Sequence, residues 1–165
     1  MNRYAFAYLG EVETGVAQSD CGEPELNFFL HNEAEHYVKT GLSAVKLLLD
    51  RESNRVAGFY AISPHSVKSE HLTREIRELY NVSFSVPAWL IGRLAVDIRY
   101  QGIHLGGALL QDALCNIKSR ARNGAGAMII VDAKNKRVKK FYKKYEFSTL
   151  ASCGGLKLFM FTSCV

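Results

Sequence analysis

Apolar positions along the chain switch between two periods, and the switching predicts a mixed order of strands and helices. Residues 4–9, YAFAYL, suit a short strand. In DCGEPELNFFLHNEAEHYV, the residues Leu26, Phe29, Leu30, Ala34 and Tyr37 recur at helical spacing, and Pro24 falls in the first turn, where its missing N–H is no loss. LSAVKLLL (42–49) and VAGFYAIS (56–63) are strand-like runs around the polar turn DRESNR, which predicts an antiparallel hairpin. Leu72, Ile76 and Leu79 mark a short amphipathic helix. AWLIGRLAVDI (88–98) is apolar apart from Gly92, Arg93 and its Asp97, the pattern of a central strand covered on both faces. A glycine-rich stretch follows, and Leu110, Ala113, Leu114, Ile117 and Ala121 then keep helical spacing. GAMIIVDA (126–133) is another buried strand, and Val138, Phe141, Tyr142 and Tyr145 form a last helical stripe. EFSTLA and LKLFMFTS, around a turn at Cys153-Gly154-Gly155, predict a closing hairpin. The order β, α, β, β, α, β, loop, α, β, α, β, β implies an α/β (α+β) chain with a mixed sheet and helices on both faces.

Composition narrows the class without changing this picture. The chain has 165 residues, 48% hydrophobic and 22% charged, the balance of one globular domain spanning 1–165 that buries its own core. No repeat, low-complexity tract or linker interrupts it. Cys21, Cys115, Cys153 and Cys164 are scattered without metal-ligand spacing, so they read as free thiols in a reducing cytosol, and no metal site is expected. Neither a leader peptide nor a run of about 18 to 20 apolar residues is visible, so the expectation is a cytoplasmic protein without a membrane partner. The net charge of +5, from 21 Lys+Arg against 16 Asp+Glu, permits a polyanionic partner without requiring one.

The candidate chemistry begins at RYQGIHLGGALL, residues 99–110. A strand, a glycine-paved turn and a helix make an anion site: the first helical amides lack intrahelical partners, and glycines let a phosphate approach the backbone. A tight turn alone would also use such glycines. The stretch is neither GxxxxGK[ST] nor a dinucleotide fingerprint, because no Lys-Ser/Thr follows and Gly102, Gly106 and Gly107 come late in the chain.

LAVDIRYQGIHLGGALL resembles the acetyl-CoA-binding segment of the GCN5-related N-acetyltransferases (GNAT). The family pattern Arg/Gln-x-x-Gly-x-Gly/Ala places Gln101 first and Gly106 last, with His104 at the middle glycine. Downstream, Asn135 and Tyr142 have the family's seven-residue spacing, and Glu146 stands where glycine is usual. The resemblance runs from about residue 42 to 160. It implies the GNAT fold, with a mostly antiparallel central sheet, and acetyl-CoA as cosubstrate. It also implies a cofactor site of Gln101, Gly102, Ile103, His104, Leu105, Gly106, Gly107 and Asn135, with the backbone of Leu94, Ala95 and Val96 holding the pantetheine arm. Tyr142 matches the tyrosine that protonates the departing thiolate; a phenol with an ordinary pKa of about 10 keeps its proton at neutral pH. Arg93, one residue before Leu94, is a candidate for the acceptor side. No general base stands out; Glu70, His71, Asp97 and His104 qualify only by residue type.

A subset of the family is more similar still. Asp20, Cys21, Gly22, Leu26, Asn27, Phe29 and Leu30, with GRLAVD ahead of the loop, resemble the toxins of type II toxin–antitoxin pairs. Such toxins acetylate the α-amine of aminoacyl-tRNA and block translation, and a ribbon-helix-helix antitoxin neutralises them; a homodimer is compatible with this reading. KNKRVKKFYKK (134–144) has seven cations and no acid. With Val138, Phe141 and Tyr142 inward, Lys136, Arg137, Lys139, Lys140, Lys143 and Lys144 face outward, a ridge suited to phosphates or simply a solvated helix face. The alternatives are a GNAT acetyltransferase of a small amine or peptide amine, and a weakly active acyl-CoA-binding domain.

Overall fold

The predicted order of elements is present in the computed structural model, which describes residues 3–12, 15–150 and 154–165. The strands are β1 (Tyr4–Tyr8), β2 (Ala44–Asp50), β3 (Arg55–Lys68), β4 (Ser85–Val96), β5 (Met128–Asp132), β6 (Ser148–Thr149) and β7 (Lys157–Phe161). The helices are α1 (Pro24–Phe28), α2 (Ala34–Lys39), α3 (Arg74–Tyr80), α4 (Leu105–Asn123) and α5 (Lys136–Lys143), and a π-turn, Phe29–Glu33, joins α1 to α2. In hydrogen-bonding order the strands run β1-β2-β3-β4-β5-β7-β6. The pairs β1/β2, β2/β3, β5/β7 and β6/β7 are antiparallel, and β4/β5 is parallel. The sheet is therefore mixed and mostly antiparallel, as the resemblance implied.

By contacts the chain divides into two units. The first takes the chain up to Ser63 together with Gly92–Ala113. Its core is Phe29, Leu30, Ala34, Val45, Leu47, Val56, Phe59, Ala61 and Ala95, so the predicted helical stripe and both hairpin strands bury against one another. Two polar groups pin this core. Asp50 is fully buried and accepts hydrogen bonds from Arg3 Nη2 (2.9 Å), Ser53 Oγ (2.8 Å) and Tyr100 Oη (3.0 Å). The Arg3 guanidinium holds the Asp50 carboxyl well below the usual carboxylate range. Lys46 Nζ sits 5.2 Å and 5.3 Å from the rings of Phe6 and Tyr8 and 2.8 Å from Asp112, which also accepts from Tyr60 Oη at 2.6 Å. Gly58 is required where β3 runs past β4: a Cβ there would lie 2.7 Å from the Ala95 carbonyl oxygen and 2.8 Å from Leu109.

The second unit takes Pro64–Ile91 and the chain from Leu114 onward. Its core joins Val67, Leu72, Ile76, Val86, Ala88, Met128, Ile130, Leu150 and Phe159. Thr73 caps α3 by accepting from the Ile76 amide, and Asn81 ends that helix in the left-handed region. The parallel register of β4 with β5 runs from Ala88↔Met128 to Ile91↔Val131 and stops there. The β4 segment Gly92–Val96 therefore continues past the last β5 partner.

Candidate functional site

The glycine loop lies in the first unit. β4 ends at Val96, and Asp97 caps a short 3₁₀ turn, Ile98–Tyr100, by accepting from the Arg99 amide. The chain then crosses exposed residues Gln101 to His104 before α4 begins at Leu105. Gln101 does not reach outward: its Nε2 donates to the Val96 carbonyl at 2.9 Å and to the Cys21 carbonyl at 3.1 Å, pinning the start of the loop. Gly102 has φ +83° and His104 φ +66°. His104 thus adopts the left-handed conformation for which the family uses glycine, and its carbonyl accepts from the Gly107 and Ala108 amides to start α4. Among the described residues, the amides of Gly102, Ile103, His104, Leu105 and Gly106 donate to no protein oxygen. Five consecutive unbonded donors precede and open a 19-residue helix at its positive end, an arrangement whose chemistry suits an anion. Ala95 is buried, while Leu94 and Val96 are half-buried.

Arg93 lies on the same β4 segment. Its guanidinium stacks 3.7 Å above the Phe29 ring, with the Tyr37 ring centroid at 5.5 Å. No carboxylate pairs with it among the described residues, so its five donors remain available at the edge of the stack. Asp97, one of the bases considered by residue type, is committed elsewhere. It is 2% exposed and accepts from the Asp20 amide and from Arg99. Burial pushes its carboxyl up, but the Arg99 bonds and two backbone amides outweigh burial and hold it below the ordinary value. It is a structural carboxylate, not a base.

Asn135, Tyr142 and the basic residues belong to the second unit. Asn135 is the N-cap of α5, its side chain accepting from the Val138 amide at 3.0 Å. Tyr142 is 6% exposed and packs edge-on to Phe141 and Phe147, at centroid distances of 5.2 Å and 5.5 Å. Burial pushes its phenol up to about 12. It is therefore a donor at every physiological pH, and among the described residues its hydroxyl has no hydrogen-bond partner. Glu146, the second departure from the family's glycines, ends the helix at φ +68°. Lys136, Arg137, Lys140, Lys143 and Lys144 are exposed, whereas Lys139 is half-buried. None of the six makes an ion pair among the described residues. Lys136 and Arg137 occupy the first turn, where the helix dipole disfavours cations, so helix stability does not account for them.

Several organising contacts escape sequence reasoning. The Asp20–Asp97 bond, the Gln101 anchors and the Tyr100–Asp50 bond join positions far apart in the chain. The one sequence signal was the grouping of Asp20, Cys21, Gly22 and Asn27 before an apolar stripe. Among the described residues there is no cluster of three His, Cys, Asp or Glu able to hold a metal ion, and no helix is long and apolar enough to cross a membrane. Cys21, Cys115 and Cys164 are free; Cys153, and with it part of the predicted turn, lies outside the described residues.

A tRNA-acetylating toxin of Mycobacterium tuberculosis is 32% identical over 133 residues, covering 80% of this chain and 77% of that protein. Among solved structures, a variant of the AtaT toxin bound to acetyl-CoA and to the C-terminus of the antitoxin AtaR matches with a TM-score of 0.84 at 21% identity, covering 99% of this chain and 96% of that one. AtaT complexed with acetyl-methionyl-tRNAfMet matches with a TM-score of 0.88 at 22% identity, over 98% and 96% of the two chains. At these identities the structural likeness establishes the fold. The family model described as the Acetyltransferase (GNAT) family matches residues 14–147, a span that takes in the five-amide loop, Asn135 and Tyr142, and the chain belongs to that family.

Proposed function

We propose that the chain, acting as a single domain, is an acetyl-CoA-dependent N-acetyltransferase toxin that acetylates the α-amine of an aminoacyl-tRNA and so blocks translation. The observation that carries the acceptor assignment is α5. Six cations without an acidic partner among the described residues, two of them at the helix end that repels them, are explained by a polyanion and not by the fold. A small cationic amine would meet repulsion there. The loop amides from Gly102 to Gly106 bind the pyrophosphate of acetyl-CoA, with Gln101 and Gly107 framing them, and the backbone of Leu94–Val96 holds the thioester arm.

The chemistry needs little else. The acceptor α-amine, with an ordinary pKa of about 7.7 to 8.0, is partly free base at neutral pH and gives up its proton to solvent. Its nitrogen attacks the thioester carbonyl, the C–S bond breaks, the thiolate takes a proton from Tyr142, and the proton that the new amide nitrogen sheds to solvent is matched by one that solvent returns to the Tyr142 phenolate. Arg93, held flat on Phe29, offers a planar fork to a phosphate or carboxylate of the acceptor. Lys136, Lys139, Lys140, Lys143 and Lys144 hold the RNA backbone. A ribbon-helix-helix antitoxin is the neutralising partner, the cytoplasm is the compartment, and Asn135, whose oxygen is spent on the cap, contributes to the cofactor side through its amide nitrogen or backbone. The test is transfer of radiolabelled acetyl from acetyl-CoA to bulk aminoacylated tRNA. The expected result is label on the aminoacyl group; label only in polyamines or free peptides would refute the acceptor assignment.

A further inference from the structure

The turn at Asp20–Gly22 is tied in two directions at once. Toward the helix, Asp20 Oδ1 accepts from the Gly22 amide at 2.8 Å and from Asn27 Nδ2 at 2.7 Å, while Asn27 Oδ1 accepts from the Cys21 amide at 2.9 Å. Toward the loop, the Asp20 amide donates to Asp97 Oδ2 at 2.9 Å, the Ile98 amide donates to the Asp20 carbonyl at 2.8 Å, and Gln101 Nε2 donates to the Cys21 carbonyl at 3.1 Å. Asp97 is the centre of this arrangement. Its two oxygens take four donors: the Asp20 amide, the Arg99 amide at 2.9 Å, Arg99 Nε at 2.9 Å and Arg99 Nη2 at 2.6 Å. A buried carboxylate with four donors is rigid, because moving any one of them exposes a costly unpaired charge.

We propose that Asp97, locked by the Asp20–Gly22 turn and Asn27, is the positioning residue of the acetyl-CoA loop. Residues 97–101 join β4 to the five unbonded amides, and three of the bonds that fix them come from Asp20 and Cys21. Free amides converge on an anion only while the loop is held; released, they solvate separately and the binding advantage of preorganisation is lost. The Asp-Cys-Gly and Asn residues at 20–27 thus serve cofactor affinity without touching the cofactor. This rests on the reading of residues 101–107 as the acetyl-CoA site.

The test pairs calorimetric binding of acetyl-CoA with amide hydrogen exchange. Asn27→Ala, Asp20→Ala and Asp97→Asn should each weaken acetyl-CoA binding about tenfold, raising its KM while kcat at saturation holds. Asp20→Asn keeps an oxygen for Gly22 and Asn27 and should bind as the parent does. Because coupling is reciprocal, acetyl-CoA added to the parent should slow exchange in the peptide containing residues 19–22. A merely structural role would lower the melting temperature without that protection and without the KM-against-kcat split. If Asp97→Asn does not fold, Asn27→Ala and the exchange measurement on the parent decide. Unchanged Kd in the variants, with a parent that binds, overturns the proposal alone. A parent that binds no acetyl-CoA overturns the cofactor reading and this proposal with it.

Discussion

His104→Gly isolates what a side chain does in the middle of an anion-binding loop. His104 stands at φ +66° and is exposed, and its contribution to α4 is its carbonyl, which any residue supplies. An L-residue in the left-handed region costs roughly 1 to 2 kcal/mol, with histidine toward the low end because it is enriched there. Glycine relieves this but adds about 0.5 to 1 kcal/mol of unfolded-state entropy. The expected net is a stabilisation of about 0 to 1 kcal/mol, a rise in Tm of up to about 2 to 4 °C for a chain of this size. His104→Ala keeps the strain and removes only the imidazole, so it should gain nothing. Acetyl-CoA should bind to His104→Gly at least as tightly as to the parent, because all five amides remain. The assays are calorimetric unfolding and calorimetric titration on the three proteins. A Kd weakened more than about threefold, roughly 0.65 kcal/mol, in both variants would mean that the imidazole itself grips the cofactor and would refute the reasoning.

Tyr142→Phe should lower kcat by roughly 10² to 10⁴ with acetyl-CoA affinity unchanged, measured by steady-state acetylation and titration. Because burial raises the Tyr142 phenol to about 12, its stabilising contribution is fully present below about pH 10 and lost as pH rises through 12; melting scans between pH 8 and 11 should show the decline starting only at the alkaline end and smaller in Tyr142→Phe, where burial of the Tyr80 phenol still contributes. Lys140→Glu with Lys143→Glu should raise the KM for aminoacyl-tRNA and flatten its salt dependence by roughly 0.7 to 0.9 in log–log slope per lost phosphate contact, with acetyl-CoA binding unmoved; an unchanged slope would leave α5 as a solvated face. Gly58→Ala would drive a methyl to 2.7 Å from a backbone oxygen that cannot yield, and should cost about 1 to 3 kcal/mol of stability by chemical denaturation; a parental midpoint would refute the close approach.

The elements were legible because each carries its own period. Leu26, Leu30 and Ala34 line one helix face, and Met128 to Val131 are buried on both sides, as an uninterrupted apolar run requires. The glycine loop was legible through its position between a strand and a helix. What the sequence hides is partnership. Asp97 reads as a candidate base because its type is right, and only the fold reveals four donors around it. Gln101 reads as a ligand to the cofactor, yet its side chain faces the protein. His104 and Glu146 read as departures from a motif; their positive φ values show the same backbone kept with a different residue. The distinction between Lys139 and its exposed neighbours is likewise set by tertiary packing, which helical phase alone does not resolve.

The π-turn between α1 and α2 makes one point of the chain unusually forgiving of length. There the Ala34 amide reaches back five residues to the Phe29 carbonyl, and Asn32 Nδ2 donates to the Phe28 carbonyl at 3.0 Å. A π-turn absorbs one residue more than an α turn while leaving the helix beyond it facing as before. A deletion within Pro24–Phe28 would instead swing the following residues by about 100° and turn Ala34 out of the core. Within Phe29–Glu33, deleting Asn32 removes both the extra residue and the side chain that bonds the Phe28 carbonyl. Regular α geometry then carries Ala34 and Tyr37 to the faces they already occupy, so the Asp20–Asn27 end of this helix and its far end can change spacing without either losing its seat.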